Sequence, residues 1–220
     1  MKFSKFWIPF VMLSAAGAVD GALAADPQVD IKTNHGTIRL ELYATKAPKS
    51  VENFLQYMQE GHYNGTVFHR VIKNFMIQGG GFDKDMRQKP THGQIKNEST
   101  NGLLNEIGTV AMARTSVRDS ATSQFFINTK KNDFLNYSGE TPQGHGYAVF
   151  GKVVKGMDVV ERMGKVSTGK SGQHQDVPRI AITIESVTLL SASAVKAQTS
   201  PAPSSAPSTT PAAKAAPAKK

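Results

Sequence analysis

The chain has 220 residues, enough for one ample core, and its 39% hydrophobic and 20% charged content is ordinary for a globular protein. It holds no cysteine, which excludes a disulfide framework, a thiolate nucleophile, a cysteine-ligated zinc and a cysteine-borne lipid anchor. The formal charge of +9 shrinks to +4 (20 basic, 16 acidic) between residue 24 and Lys196, so the basic excess sits at the ends and argues against a nucleic-acid footprint on the body.

Residues 1–24 read as an export signal. Basic "MKFSK" precedes the apolar run "FWIPFVMLSAAGAV", and Ala22-Leu23-Ala24 forms a small-residue cleavage pattern with the cut expected after Ala24. The run ends at Asp20, short of the ~20 apolar residues that a membrane span needs. "VDIKTNHGTIRLELY" predicts two strands turned at Asn34-His35-Gly36, with Ile38, Leu40 and Leu42 inward. "APKSVENFLQYMQEG" switches to helical period: Pro48 opens it, Val51, Phe54, Leu55 and Met58 recur, and Gly61 closes it. Short strand-like runs follow: "TVFHRVI", "FMIQ", "TVAMA", "QFFIN", "YAVFGKVV" and "RIAITIESVTLL", with a second short helix in "GMDVVERMG" carrying Met157, Val160 and Met163. Many short strands, long Gly/Asn-rich loops and few helices predict a mainly β architecture, a closed or nearly closed antiparallel barrel. From Ser191 the composition collapses into Ala, Pro, Ser, Thr and Lys, and no large apolar residue follows Val195. Residues 191–220 are therefore expected to be a disordered, solvated tail whose lysines attract anionic surfaces.

Covalent and metal chemistry find no support. No Ser-x-Gly elbow accompanies a histidine, the six histidines stand singly, and "QGGGF" lacks the Gly-Lys-Ser/Thr of a phosphate loop. No metal or cofactor is expected. What remains is non-covalent. On a regular strand Phe68, Arg70 and Ile72 share a face, which places a guanidinium among apolar groups. Arg70 either snorkels to water or serves a ligand cleft, for which Phe75, Met76, Phe125 and Phe126 supply apolar wall and Gln78 and Gln124 supply amides.

"FHRVIKNFMIQGGGF", "VAMAR…SATSQFFIN" and "YAVFGKVVKGMDVVERM" resemble the signature blocks of the cyclophilins, peptidyl-prolyl cis-trans isomerases, and look most like their exported bacterial branch. The resemblance runs from Val29 to Leu190. It implies a closed eight-stranded antiparallel β-barrel capped by two helices, over a domain at 25–190. It also implies a catalytic set of Arg70, Gln78 and Phe75. Met76, Phe126 and Leu135 would join Phe75 in the floor of a proline pocket. Ala113 and Arg114 would offer backbone to an extended peptide, with Gln124, Phe134 and Tyr147 as further substrate contacts. Phe134 stands where the best-known eukaryotic pattern has tryptophan, which implies weak cyclosporin inhibition, and Tyr147 stands where that pattern has histidine. Proline-containing unfolded or exported chains are the implied substrates, the periplasm the implied compartment, and a monomer the implied state. A peptide-binding chaperone with incidental isomerase activity is the alternative. Whether Arg70 acts on the proline nitrogen or on the carbonyl is left open by the sequence.

Overall fold

The computed structural model describes residues 26–191; the expected signal (1–24) and all but the first residue of the expected tail (191–220) lie outside them. The first two strands, β1 (Gln28–Thr33) and β2 (Gly36–Leu42), pair antiparallel with Ile31 opposite Ile38 and Val29 opposite Leu40. Val29, Ile31, Ile38, Leu40 and Leu42 are fully buried, as the alternation predicts. On the opposite face Arg39 is also buried, because Asp30, its cross-strand partner, takes Nε (2.7 Å) and NH2 (2.8 Å) in a bidentate pair.

Helix α1 (Pro48–Gln59) starts on the predicted proline, and the carboxylate of Glu98 caps it from a distant loop. That carboxylate accepts from the N–H groups of Lys49 (3.0 Å) and Ser50 (2.8 Å) and from the Ser50 hydroxyl (2.7 Å), satisfying donors that an N-terminus otherwise leaves open. The buried face is rotated from the expected one. It holds Val51, Phe54 and Tyr57 together with Ser50 and Asn53, whereas Leu55 and Met58 are only partly buried. Asn53 donates to Thr122 O (2.7 Å) and the Tyr57 hydroxyl accepts from His92 N–H (2.8 Å), so both polar groups enter the core with partners.

The remaining strands are β3 (Arg70–Ile72), β4 (Met76–Gly79), β5 (Thr109–Met112), β6 (Phe125–Asn128), β7 (Val149–Lys155), β8 (Thr168–Ser171), β9 (His174–Pro178) and β10 (Ile184–Leu189). A 3-10 turn spans Asp133–Leu135, and α2 covers Met157–Met163. Eight strands form one antiparallel sheet in the order β10-β1-β2-β7-β5-β6-β4-β3, and β8–β9 forms a separate hairpin. The expected full closure is corrected: the sheet curls into a half-barrel whose edges, β3 and β10, share no ladder. "TVFHRVI" is strand only from Arg70 onward, so the seam is stitched instead by a bridge between Val67 and Thr183. Phe68 N–H donates to Ile182 O (2.9 Å) and Ile184 N–H donates to Thr66 O (2.8 Å) beside it. The irregularity also changes the faces. Phe68 joins Val71 in the inner core, while Arg70 and Ile72 turn outward.

β5 and β6 are buried on both faces. Val110, Met112, Phe125 and Ile127 fill the interior with Phe54 and Phe150, while Ala111 and Phe126 face a second apolar cluster with Met76, Leu135 and Val149. That second cluster is the outer wall on which the site is built. Among the described residues no helix is long and apolar enough to cross a membrane.

Candidate active site

The β3–β4 hairpin sets Arg70 opposite Gln78. Arg70 NH1 donates to Gln78 Oε1 (3.4 Å), and Gln78 Nε2 donates to Gln124 Oε1 (2.9 Å). The glycines after Gln78 make this relay fit. Gly80 holds φ +85°, and a Cβ on Gly81 would meet the Gln124 side chain at 2.4 Å. On its other side the guanidinium faces Asp176, with Nε 3.9 Å from Oδ2, and the two side chains are 43% and 42% exposed.

Beneath Arg70 opens a cavity of about 180 Å³. Phe75, Met76, Phe126 and Leu135 form its apolar part; Gln78, Ala113, Arg114 and Tyr147 complete the lining. Of the eleven site residues expected from the sequence, nine thus converge on one cavity. The two others stand beside it. Phe134 is 71% exposed and stacks on the Phe75 ring (5.5 Å between centroids, 27°), a ledge rather than a wall. Gln124 positions Gln78 and lines a neighbouring groove of about 500 Å³ with Thr115, Thr122 and Gln94.

The expected peptide-facing backbone is partly engaged already. Ala113 N–H donates to Gln124 O (3.0 Å) and is therefore not offered to a ligand. The Arg114 side chain is tied down as well, with Nε donating to Gly146 O (2.8 Å) and the guanidinium 4.6 Å over the Tyr147 ring. Tyr147 in turn meets Phe126 edge-on (5.7 Å, 78°), so Arg114, Tyr147 and Phe126 form one stack.

Sequence reasoning missed the polar network that holds the pocket's far side. Asn105, Asn128 and Asn132 are at most 2% exposed. Asn132 Nδ2 donates to Phe75 O (3.0 Å) and to Asn128 Oδ1 (2.7 Å). Asn128 Nδ2 donates to Asn105 Oδ1 (3.1 Å) and Thr109 Oγ1 (2.9 Å), and Asn105 Nδ2 donates to Leu135 O (3.2 Å). The network fixes both Phe75 and the turn bearing Leu135. Its only trace in the sequence is an asparagine ending the apolar run "QFFIN".

His69, next to Arg70 in sequence, is 6% exposed and packs on Phe82 (4.6 Å). Burial first, and then the charges of His174 and Arg70, pull its imidazole down to about 4. It is neutral near pH 7 and does not line the cavity beneath Arg70. What the site offers is the Arg70 guanidinium and the Gln78 amide at the mouth of an apolar pocket, beside an Arg114 already tied to Gly146 and Tyr147, with no nucleophile in place.

A curled antiparallel sheet carries on its outer face an apolar pocket with a guanidinium at its mouth, a candidate site for non-covalent binding. Residues 28–189 match the sequence profile of the family "Cyclophilin type peptidyl-prolyl cis-trans isomerase/CLD". The chain belongs to that family. It is 59% identical over 161 residues to peptidyl-prolyl cis-trans isomerase B of Escherichia coli (strain K12), covering 73% of this chain and 98% of the relative. It is 51% identical over 169 residues to peptidyl-prolyl cis-trans isomerase A of Dickeya dadantii, covering 77% and 87%. Among solved structures it is similar to a cyclophilin-type isomerase of Cryptosporidium parvum crystallised in the presence of the dipeptide Ala-Pro. That likeness has a TM-score of 0.61 and 28% identity, and covers 74% of this chain and 99% of the other.

Proposed function

We propose that this chain is a prolyl isomerase of the bacterial envelope that accelerates cis-trans exchange of X-Pro bonds in unfolded or newly exported polypeptides, acting as a monomer. The observation that carries the reading is Arg70, held by Gln78 at the mouth of the apolar pocket of Phe75, Met76, Phe126 and Leu135. The Ala-Pro dipeptide accompanying the C. parvum relative supports a proline side chain as the pocket's occupant. The signal pattern of residues 1–24 supports export to the periplasm. The larger groove beyond Gln78 favours an extended chain over an isolated dipeptide.

The reaction needs only this machinery. Resonance keeps the amide planar with a barrier of ~18–20 kcal/mol, and an X-Pro bond exchanges its two isomers over tens of seconds or longer. A catalyst must therefore bind the twisted amide better than either planar form. The apolar pocket grips the pyrrolidine ring while the preceding carbonyl rotates. Twisting returns a lone pair to the proline nitrogen, and the guanidinium of Arg70 is the donor set to meet the charge that moves. Gln78, itself held by Gln124, limits the directions the guanidinium can take. No bond to substrate forms or breaks.

The test is protease-free relaxation of a proline peptide from a non-equilibrium cis population. Added protein should speed it, and Arg70→Ala should remove most of the acceleration, on the order of 10²-fold or more. Because Arg70 is 43% exposed, its loss should leave the melting temperature nearly unchanged. A relaxation rate untouched by wild-type protein overturns the reading. Mass spectrometry of the envelope fraction checks export: the mature chain should begin at Ala25.

A further inference from the structure

The β8–β9 hairpin stands outside the eight-stranded sheet and packs on β3, the edge strand that carries Arg70. Building on the isomerase reading of that arginine, we propose that Asp176 is a positioning residue for Arg70, and that the hairpin is the prop that presents it. β3 is three residues long and has one laddered neighbour, β4. From that side Gln78 reaches NH1 with a long bond of 3.4 Å. From the other, Asp176 sets a carboxylate oxygen 3.9 Å from Nε. The guanidinium is thus bracketed by a neutral acceptor within the sheet and an anion outside it.

Two features distinguish this pair from an incidental surface contact. Asp176 has φ +60°, a left-handed conformation that among the described residues only Asn74 and Met86 share outside glycine. The β8–β9 register shifts at this point, between Gly169 opposite Val177 and Ser171 opposite His174, a bulge of the kind that re-aims a side chain, and here the residue it carries faces the proposed catalytic group. The hairpin is also clamped to the same stretch of chain a second time. His174 meets the Phe82 ring edge-on (5.0 Å, 71°), and Phe82 packs against His69, the residue before Arg70. One strand of the hairpin therefore grips the start of β3 through rings and its arginine through charge.

With both side chains more than two-fifths exposed, the pair contributes little to folding. Its effect lies in the share of time the guanidinium spends aimed at the pocket, a change of about two- to five-fold for an ion pair of this kind. Salt screens such a pair, so the same factor should appear as ionic strength rises.

The deciding variant is Asp176→Asn. Asparagine tolerates a positive φ as aspartate does, so the variant removes the charge and spares the backbone. Turnover is measured across peptide concentrations and from low salt to about 0.5 M, alongside the melting temperature and the relaxation of the Arg70 Nε–H group by NMR. Asp176→Asn should lower kcat about two- to five-fold, leave KM and melting temperature alone, flatten the salt dependence of the wild type and loosen the Arg70 Nε–H group. Wild-type kcat with a wild-type salt profile overturns the proposal. So does a fall in melting temperature with Arg70 order unchanged, which marks Asp176 as merely structural. If the wild type lacks isomerase activity while Asp176→Asn still loosens Arg70, the isomerase reading fails and the bracketing stands. If Arg70 order is unchanged, the bracketing fails.

Discussion

Replacing Asn132 with alanine removes one side chain that touches no ligand and should still cost both stability and activity. In the folded protein Asn132 Nδ2 donates to Asn128 Oδ1 at 2.7 Å and to Phe75 O at 3.0 Å. Without it the Asn128 oxygen loses that donor in a fully buried position, at about 1–3 kcal/mol. The Phe75 carbonyl keeps Thr129 N–H (3.0 Å), so that loss is only about 0.5–1.5 kcal/mol. The sum, about 1.5–4.5 kcal/mol, is a large share of the ~5–15 kcal/mol that holds a typical domain. For a domain of this size it corresponds to a fall in melting temperature of about 3–18 °C. Calorimetry reads that number, and peptide relaxation well below the new melting temperature reads the second effect. Phe75 and the turn bearing Leu135 lose a common anchor, so kcat/KM should drop as well. Asn132→Asp should be worse than alanine at neutral pH, because it turns an acceptor toward two acceptors. A melting temperature within about 1 °C of wild type, or an aspartate variant as stable as wild type, would refute the network as the pocket's support.

Two further outcomes follow from other parts of the fold. Glu98→Ala should destabilise by about 1–2 kcal/mol, since it strips the first turn of α1 of its three bonds to one carboxylate; urea unfolding checks this. His69 should make stability depend on acid. Its folded value of about 4 lies below the ~6.5 of an unfolded histidine, so its contribution is whole above about pH 6.5 and is lost as pH falls toward 4. Wild type should lose about 2–3 kcal/mol from this group between pH 7 and about pH 4.5, and His69→Phe should show a shallower loss when urea unfolding is repeated at both values.

Where pattern and packing agree, the sequence was readable. The β1–β2 hairpin obeys strict alternation, and α1 begins at its proline. The helix face was misjudged because counting apolar residues overlooks Asn53 and Tyr57, which enter the core only because Thr122 O and His92 N–H meet them there. The β8–β9 hairpin went unseen for a similar reason: "TGKSGQHQDVP" buries only Pro178 outright and shows neither period. The pocket was legible through local blocks, since Arg70, Phe75, Met76 and Gln78 lie within nine residues. The groups that hold it were not. Asn105, Asn132 and Asp176 come from loops and a hairpin far along the chain, and nothing local marks them as neighbours of Phe75, Leu135 or Arg70. Phe134 and Gln124, expected as substrate contacts from their blocks, stand beside the cavity, Phe134 as a ledge on Phe75 and Gln124 behind Gln78.

The half-barrel's seam also constrains the order in which the molecule can be completed. β1 lies between β2 and β10, with Val29 opposite Leu189, and the edge beside β3 is stitched by residues 182–184. A chain arriving N-terminus first must hold β1 with one side bare and Phe68 without its backbone partner until nearly the whole domain has emerged. The last strand is the keystone. A protein proposed to release slow steps in the folding of others therefore cannot finish its own fold until its last strand is available to pair.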